Sequence, residues 1–442
     1  MASLRGFLTL GAALLVAGCA HRSLHASFDR AAGLESFDAA WRIVYETHFD
    51  TTFNGVDWMA LRDSLRPHAE RAGGREALRG VIRAMLDRLG ESHFALIPRE
   101  AADTLDPSGG TAVRGRTGLD VRLVDGQLLV TRVDSGSAAA RAGVRTGWAV
   151  VVAGRDSVGA LLRRAQDRPG RYRIETALWL AGHARLAPPL DSAVAVAFLD
   201  GEGQAVRLRL VSEPEPSEPI KYGNLPTVFV RFAHRRLDAP GGCVGVIAFT
   251  GWLAPLMGRI DAAVDADRGC AGMVLDLRGN TGGLATMIGG VAGHFLDRPD
   301  TLALMRTRRN TLAFSANPRR VTADARAVRP FAGPLAVLVD EGSASASEVF
   351  AGGMQALGRA RVFGRTSMGA VLGASFDRLP DGDVLYHALG DIVAHGGRAL
   401  EGRGVVPDDS VTATRADLLA GRDPTLDAAL HWIAGRPQGG GR

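Results

Sequence analysis

Two stretches of this chain run an apolar strand straight into a turn of very small residues and then into a helix. The first is Met273-Val-Leu-Asp276-Leu-Arg278-Gly279-Asn280-Thr281-Gly282-Gly283. The second is Leu335-Ala-Val-Leu-Val-Asp340-Glu-Gly-Ser343-Ala-Ser345-Ala-Ser347-Glu348. Short continuous apolar runs suit strands buried on both faces, and helices between them predict parallel pairing. The neighbouring pattern agrees: Cys243–Phe249, Met273–Leu277, Leu335–Asp340 and Arg361–Gly364 read as strands, with helices near 285–296 and 346–358. Residues 220–435 therefore read as an α/β core.

Upstream the texture differs. Residues 28–100 carry apolar positions at helical spacing (Phe37, Trp41, Val44, Tyr45; Leu78, Val81, Ile82, Met85, Leu86, Leu89) and read as a helical bundle. Residues 111–212 hold short β runs punctuated by glycines. Between them and the core, 213–219 is acidic and proline-rich and reads as a linker, and 436–442 as a flexible tail. For a 442-residue chain this makes a multidomain α+β protein.

Arg5 precedes an apolar run, Gly6–Ala17, of about 12 residues, too short to span a bilayer but suited to a signal-peptide core. Small residues before Cys19 resemble a bacterial lipobox, implying a signal peptide over 1–18, lipidation of Cys19 and a tether over 19–27. The expectation is a lipid-anchored protein of the bacterial cell envelope, at the outer membrane facing the periplasm. In that oxidising setting Cys243 and Cys270, each at the start of a strand-like run, suit either a disulfide or two buried thiols. The net charge is +5, and no zinc-finger spacing or aromatic-interleaved basic stripe appears, which argues against nucleic acid as a partner. The arginines between 301 and 330 read as a solvated face.

Of the 52 basic residues only Lys221 is a lysine. Arginine does not give up its proton, so a mechanism needing a lysine base has one candidate. Ser345 sits in the tight turn before a helix, where N–H groups favour developing negative charge. Ser345-x-x-Glu348 is equally a capping box. The Gly282-Gly283 turn lets backbone approach a reacting oxygen, while the Gly-Lys-Ser/Thr of a phosphate loop is absent. No cysteine, histidine and carboxylate cluster has metal-ligand spacing.

Leu-Asp-Leu-Arg-Gly-Asn-x-Gly-Gly followed by Gly-Ser-Ala-Ser-Ala-Ser-Glu resembles the carboxy-terminal processing (tail-specific) serine peptidases and their tricorn-like relatives. The resemblance implies an α/β catalytic core of the crotonase-like type, no cofactor, and protein or peptide substrates. It makes Ser345 the nucleophile and gives the oxyanion hole to the N–H of Ala346 and of Gly282 or Gly283. The lysine of the better-known serine–lysine branch is missing: Gly364-Arg-Thr-Ser-Met-Gly369 is followed by Ala370. Instead, Glu91-Ser92-His93 resembles the tricorn-like segment whose histidine is the base, and Leu400-Glu401-Gly-Arg-Gly404-Val-Val-Pro407-Asp408 the segment that supplies a glutamate. That implies a Ser345, His93, Glu401 triad in which Glu401 orients His93 and Ser92 lends support, with closure of the helical domain on the core as a gate.

Gly118-Leu119-Asp120-Val121, with Val133 to Gly147, looks like the family's PDZ domain, which would bind a peptide tail by strand addition. Trp148 stands where that family usually has aspartate. Two other readings of the chain remain: a non-catalytic PDZ-type peptide-binding scaffold, and a carrier of lipid or small apolar ligands on the same fold.

Overall fold

The computed structural model describes residues 28–100, 115–167, 172–220, 228–239 and 242–436. The signal peptide, Cys19, the tether, Lys221 and residues 437–442 lie outside the described residues. Among the described residues no helix is long and apolar enough to cross a membrane.

The amino-terminal region is three helices, α1 (Arg30–Thr47), α2 (Trp58–Glu70) and α3 (Arg75–Asp87). Asp29 and Asp57 start the first two by accepting N–H groups of the opening turn. The apolar stripe of α3, Leu78, Ile82, Met85 and Leu86, is buried against Phe37, Val44 and Trp58. The same cluster takes in Leu372, Leu379, Leu385 and Ala388 from the far end of the chain. A short strand, β1 (Ala95–Ile97), then leaves the helices and pairs antiparallel with Val384–Tyr386. Buried Arg79 clasps buried Asp383 through two 2.7 Å bonds. The expected closing domain is thus docked: it shares a core, a strand pair and a buried ion pair with the rest.

Five antiparallel strands follow in the order β2 (Leu119–Val124), β3 (Gln127–Val133), β4 (Ala149–Ala153), β5 (Ala193–Leu199) and β6 (Ala205–Val211). Between β4 and β5 a helix, α4 (Ile174–Leu186), crosses β2, with Gly182 against Val121. Trp148 packs edge-on against Phe198 in this domain's core. The acidic 213–219 stretch is held rather than loose: Glu213–Pro214 pairs with Gly115–Arg116, and Glu218–Ile220 pairs with Val228–Val230. Composition suggested a linker because its charges looked solvated. The Glu215 carboxylate instead meets Arg116 and Arg231.

The second half is built on a six-stranded sheet in the order β7 (Phe232–Ala239), β8 (Gly242–Phe249), β9 (Gly272–Asp276), β12 (Leu335–Val339), β13 (Arg361–Gly364) and β16 (Asp409–Ser410). Apart from the β7–β8 pair, its strands are parallel. Helices α5 (Met257–Ala266), α6 (Thr286–Ala292) and α7 (Ala346–Ala356) cover one face. The last helix, α8 (Pro424–Ala434), covers the other with Leu426, Ala429 and Ile433. A second, antiparallel sheet joins β1, β15 (Val384–Ala394), β10 (Asp300–Thr307) and β11 (Thr311–Ala316), with β14 (Gly373–Arg378) also on β15. Cys243 and Cys270 form a disulfide before β8 and β9 are well under way. The pairing register explains it, since Val244 sits opposite Gly272.

Candidate active site

Parallel strands all end on one side, so the turns after β9 and β12 converge there. From Leu335 to Met354 every residue is buried except Ser345, which is half-buried. Its backbone is forced, with φ 53° and ψ −118°, a region costly for a residue with a Cβ. Strain of this kind survives only where the surroundings impose it. Here the Ser345 N–H is fixed by the Ala370 carbonyl at 2.8 Å and by the Glu348 carboxylate at 3.1 Å. Ser345 therefore does start α7, as the capping pattern suggests, and it is the one half-buried residue of a buried turn.

The glycine loop after β9 lies against this turn. A Cβ on Gly282 would sit 2.6 Å from Ser345 Cβ and 3.1 Å from the Ala346 nitrogen. On Gly283 it would fall 2.3 Å from the Trp252 carbonyl. Both have positive φ, 96° and 143°, so only glycine serves. Asn280 shapes the loop: its Oδ1 accepts the Gly282 N–H at 3.0 Å and its Nδ2 donates to Phe249. Gly282 thus spends its donor inside the loop. Among the described residues no acceptor takes the N–H of Gly283 or of Ala346, which leaves these two as the pair able to face an oxyanion.

Ser92 and His93 come from the segment between α3 and β1. Three anchors hold it: the Asn54 side chain donates to the Leu89 carbonyl at 2.8 Å, the buried His48 ring meets Glu91 at 2.8 Å, and β1 is locked to β15. His93 itself is forced to φ 60°. Its Nδ1 lies 2.6 Å from Ser92 Oγ, and its ring packs against Tyr386 at 5.4 Å between centroids. Ser92 passes the chain on. Its Oγ–H donates to Glu401 Oε2 at 2.9 Å and its N–H donates to Glu401 Oε1 at 2.9 Å. The Val371 N–H also donates to Glu401, at 2.7 Å. So Ser92, expected only as a support, stands between the carboxylate and the imidazole. Burial, against those donors, raises the Glu401 pKa.

The edge strand β2, expected to bind a peptide tail, is crowded. Leu119 and Val121 are buried, and a Cβ on Gly118 would strike Ser137 at 2.2 Å. Asp120 is paired with Arg122, Arg132 and His183. Arginine side chains reach the alternate carbonyls: Arg116 to Leu119, Arg122 to Val121, and Arg365 of the core to Leu123. Arg122 also grips Asp340, whose other oxygen accepts the Gly279 N–H at 2.8 Å and the Gly342 N–H at 2.9 Å. A cleft of about 900 Å³ opens beside this network, and Ser345 is not among its walls. Among the described residues no three His, Cys, Asp or Glu side chains gather as a metal site.

Some residues around Ser345 carry no sequence signal. Helix α4 lies on the Ser345 turn, with Trp179 against Ala344, Met368 and Ala370. Arg173, before it, donates to the carbonyls of Thr366, Ser367 and Arg403. An indole thus fills the space beside Ala370, where a dyad lysine would have stood.

Residues 244–411 match peptidase family S41, and residues 30–87 match the tricorn protease C1 domain. The first match contains Ser345 and Glu401; the second ends just short of His93. The chain is 26% identical over 402 residues to carboxyl-terminal-processing peptidase 3 of Arabidopsis thaliana, covering 88% of this chain and 72% of that one. It is 27% identical over 405 residues to tricorn protease homolog 1 of Streptomyces coelicolor, covering 90% of this chain and 34% of the other. In fold it resembles the photosystem II D1 C-terminal processing protease, with a TM-score of 0.59, 22% identity and coverage of 91% and 97%. The chain is therefore a serine peptidase that carries a peptidase family S41 region over residues 244–411 and is similar to carboxyl-terminal processing peptidases and tricorn homologues.

Proposed function

We propose that the protein is an exported, lipid-anchored endopeptidase that cleaves protein or peptide substrates with Ser345 as nucleophile and His93 as base. The observation that carries this reading is the hydrogen-bonded line Glu401–Ser92–His93, tied to the half-buried Ser345 turn through the Ala370–Val371 peptide. In this scheme His93 takes the Ser345 proton and later returns it to the leaving amine. Glu401, through Ser92, holds the ring in one orientation and stabilises the imidazolium. The N–H groups of Ala346 and Gly283 stabilise the tetrahedral oxyanion at the start of α7.

Export is supported by the Cys243–Cys270 disulfide, a bond at home in oxidising compartments. The lipid anchor at Cys19 and the outer-membrane location rest on the lipobox. The 115–211 domain serves as the PDZ-like module. Its β2 edge receives a peptide tail only when the arginines on its carbonyls give way.

The test is a digest of denatured proteins with product termini identified, alongside labelling with a fluorophosphonate probe. Wild type is expected to cleave and to label at Ser345. Ser345→Ala and His93→Ala are expected to lose about 10³-fold or more of the rate. Cleavage that survives Ser345→Ala sinks the assignment.

A further inference from the structure

The strap 367–371 runs past the catalytic residues without contributing a side chain to them. It offers two consecutive backbone groups instead: the Ala370 carbonyl accepts the Ser345 N–H at 2.8 Å, and the Val371 N–H donates to Glu401 at 2.7 Å. One peptide unit therefore sets the distance between nucleophile turn and acid. Gly369 and Ala370 have almost nothing with which to anchor themselves, so the anchor must come from elsewhere.

It comes from Glu348, wholly buried in the first turn of α7. Its Oε1 accepts the Ser367 hydroxyl at 2.5 Å and the Gly369 N–H at 2.7 Å. Its Oε2 accepts the Ala370 N–H at 3.0 Å and the Ser345 N–H at 3.1 Å. Ser367 Oγ in turn accepts the Val405 N–H at 2.6 Å, tying in the segment that follows Glu401. A capping box asks only that such a glutamate receive the cap residue's own N–H. Three of the four bonds go beyond that, and all three go to the strap.

We propose that Glu348 is a positioning residue of the catalytic site, whose carboxylate holds the 367–371 strap and through it sets Ser345 and Glu401 in one frame. The proposal rests on the Ser345, His93 and Glu401 reading above. All four neighbours are donors, so the site is shaped for the ionised carboxylate, which alone can accept from each. Burial works the other way and pushes its pKa up to about 7, against the bonds from Ser367, Gly369, Ala370 and Ser345. The frame is therefore complete only above about pH 7 and loosens as Glu348 takes up a proton below it.

The experiment measures fluorophosphonate labelling of Ser345 by intact mass from pH 5 to 9, with rate and probe affinity separated. Glu348→Gln keeps the size but turns an NH₂ toward donors. It is expected to melt as a folded protein, bind the probe within about twofold of wild type, and label about 10-fold or more slowly. In wild type the acid limb of the labelling rate contains two ionisations, His93 and Glu348; in the variant it contains one. A folded Glu348→Gln that labels at the wild-type rate, with an unchanged acid limb, overturns the proposal. Should that variant fail to fold, Ser367→Ala removes one strap bond and is expected to slow labelling by about threefold; an unchanged rate again overturns it. Wild type that never labels at Ser345 brings down the triad reading itself, and this inference with it.

Discussion

Around Ser345 the carboxylates of buried Glu348 and half-buried Glu401 are met by backbone N–H groups and hydroxyls. Around Asp340, a few residues earlier on the same turn, carboxylates are met by arginines. Glu348 and Glu401 have seven donor bonds between them, and among the described residues neither has a cationic partner. Burial dominates there, and both pKa values rise. At Asp340 burial also pushes upward, but Arg122, the Gly279 N–H and Arg278 outweigh it and hold the group below its usual range. Asp120 and Asp134 behave in the same way, through Arg122 and His183 in one case and Arg231 and Arg132 in the other. The difference separates two jobs. An aspartate gripped by guanidinium, as at Asp340, Asp120 and Asp134, stays ionised and serves as a fixed joint, whereas burial and the Asp340 charge raise Glu341 despite Arg122 and Arg365. Held by neutral donors, Glu348 is pushed by burial up to about 7, and burial raises Glu401 in the same direction.

The largest effect should come from removing charge on the donor-held side. Glu401→Gln faces three donors with an amide that can accept at only one atom. The expected outcome is a drop of about 10²–10⁴-fold in peptide cleavage with little change in melting temperature. Activity above about a tenth of wild type would show that Ser92 and His93 keep their geometry without the carboxylate.

On the arginine-held side the loss should fall on stability instead. Arg122→Ala takes the guanidinium from buried Asp340 and half-buried Asp120, and should destabilise the fold by about 3–5 kcal/mol, read as a lower urea midpoint. An unchanged midpoint would mean that Arg132, His183 and Arg278 suffice.

The smallest effect distinguishes the two regions by sign. Glu348 has a raised folded-state pKa, so the folded chain holds its proton after the unfolded chain has lost it. Stability from this group is present below about pH 4.5 and declines as pH rises towards about 7. Asp120, Asp134 and Asp340 are lowered, so their contribution is present above about pH 4 and is lost as pH falls. Chemical denaturation of wild type and Glu348→Gln between pH 5 and 7.5 should show the gap between them moving against wild type as pH rises. A gap that is constant or moves the other way contradicts the assignment.

The two sides also differ in how well they could be read from the chain. Ser345, Glu401 and the Ser92–His93 pair stand in short motifs, because each reacting group needs a tight turn with its own local residue pattern. The strands carrying them were legible for the same reason: an apolar run buried on both faces leaves few alternatives. Glu348 was visible only as half of a capping box, since three of its four bonds go to a strap about 20 residues away whose glycine and alanine carry no signal. The Arg122–Asp340 pair joins positions 218 residues apart. Among so many arginines nothing marks that one. Helix α4 was hidden because its burial is spread around it, with Trp179 facing the core turn and Gly182 facing β2, so no single stripe appears. The 213–219 stretch misled because a run of acids and prolines looks solvated until the arginines that neutralise it are found.

The bond from Ser92 to Glu401 spans 309 residues of chain. A ribosome or an export channel releases these segments in order, His93 first, Ser345 much later, Glu401 last. Contacts so distant in sequence form late, because the whole intervening loop must close before they are rewarded. A chain still emerging thus carries Ser345 and His93 as ordinary side chains. The proposed site is therefore assembled only after the segment carrying Glu401 has joined the one carrying Ser92 and His93.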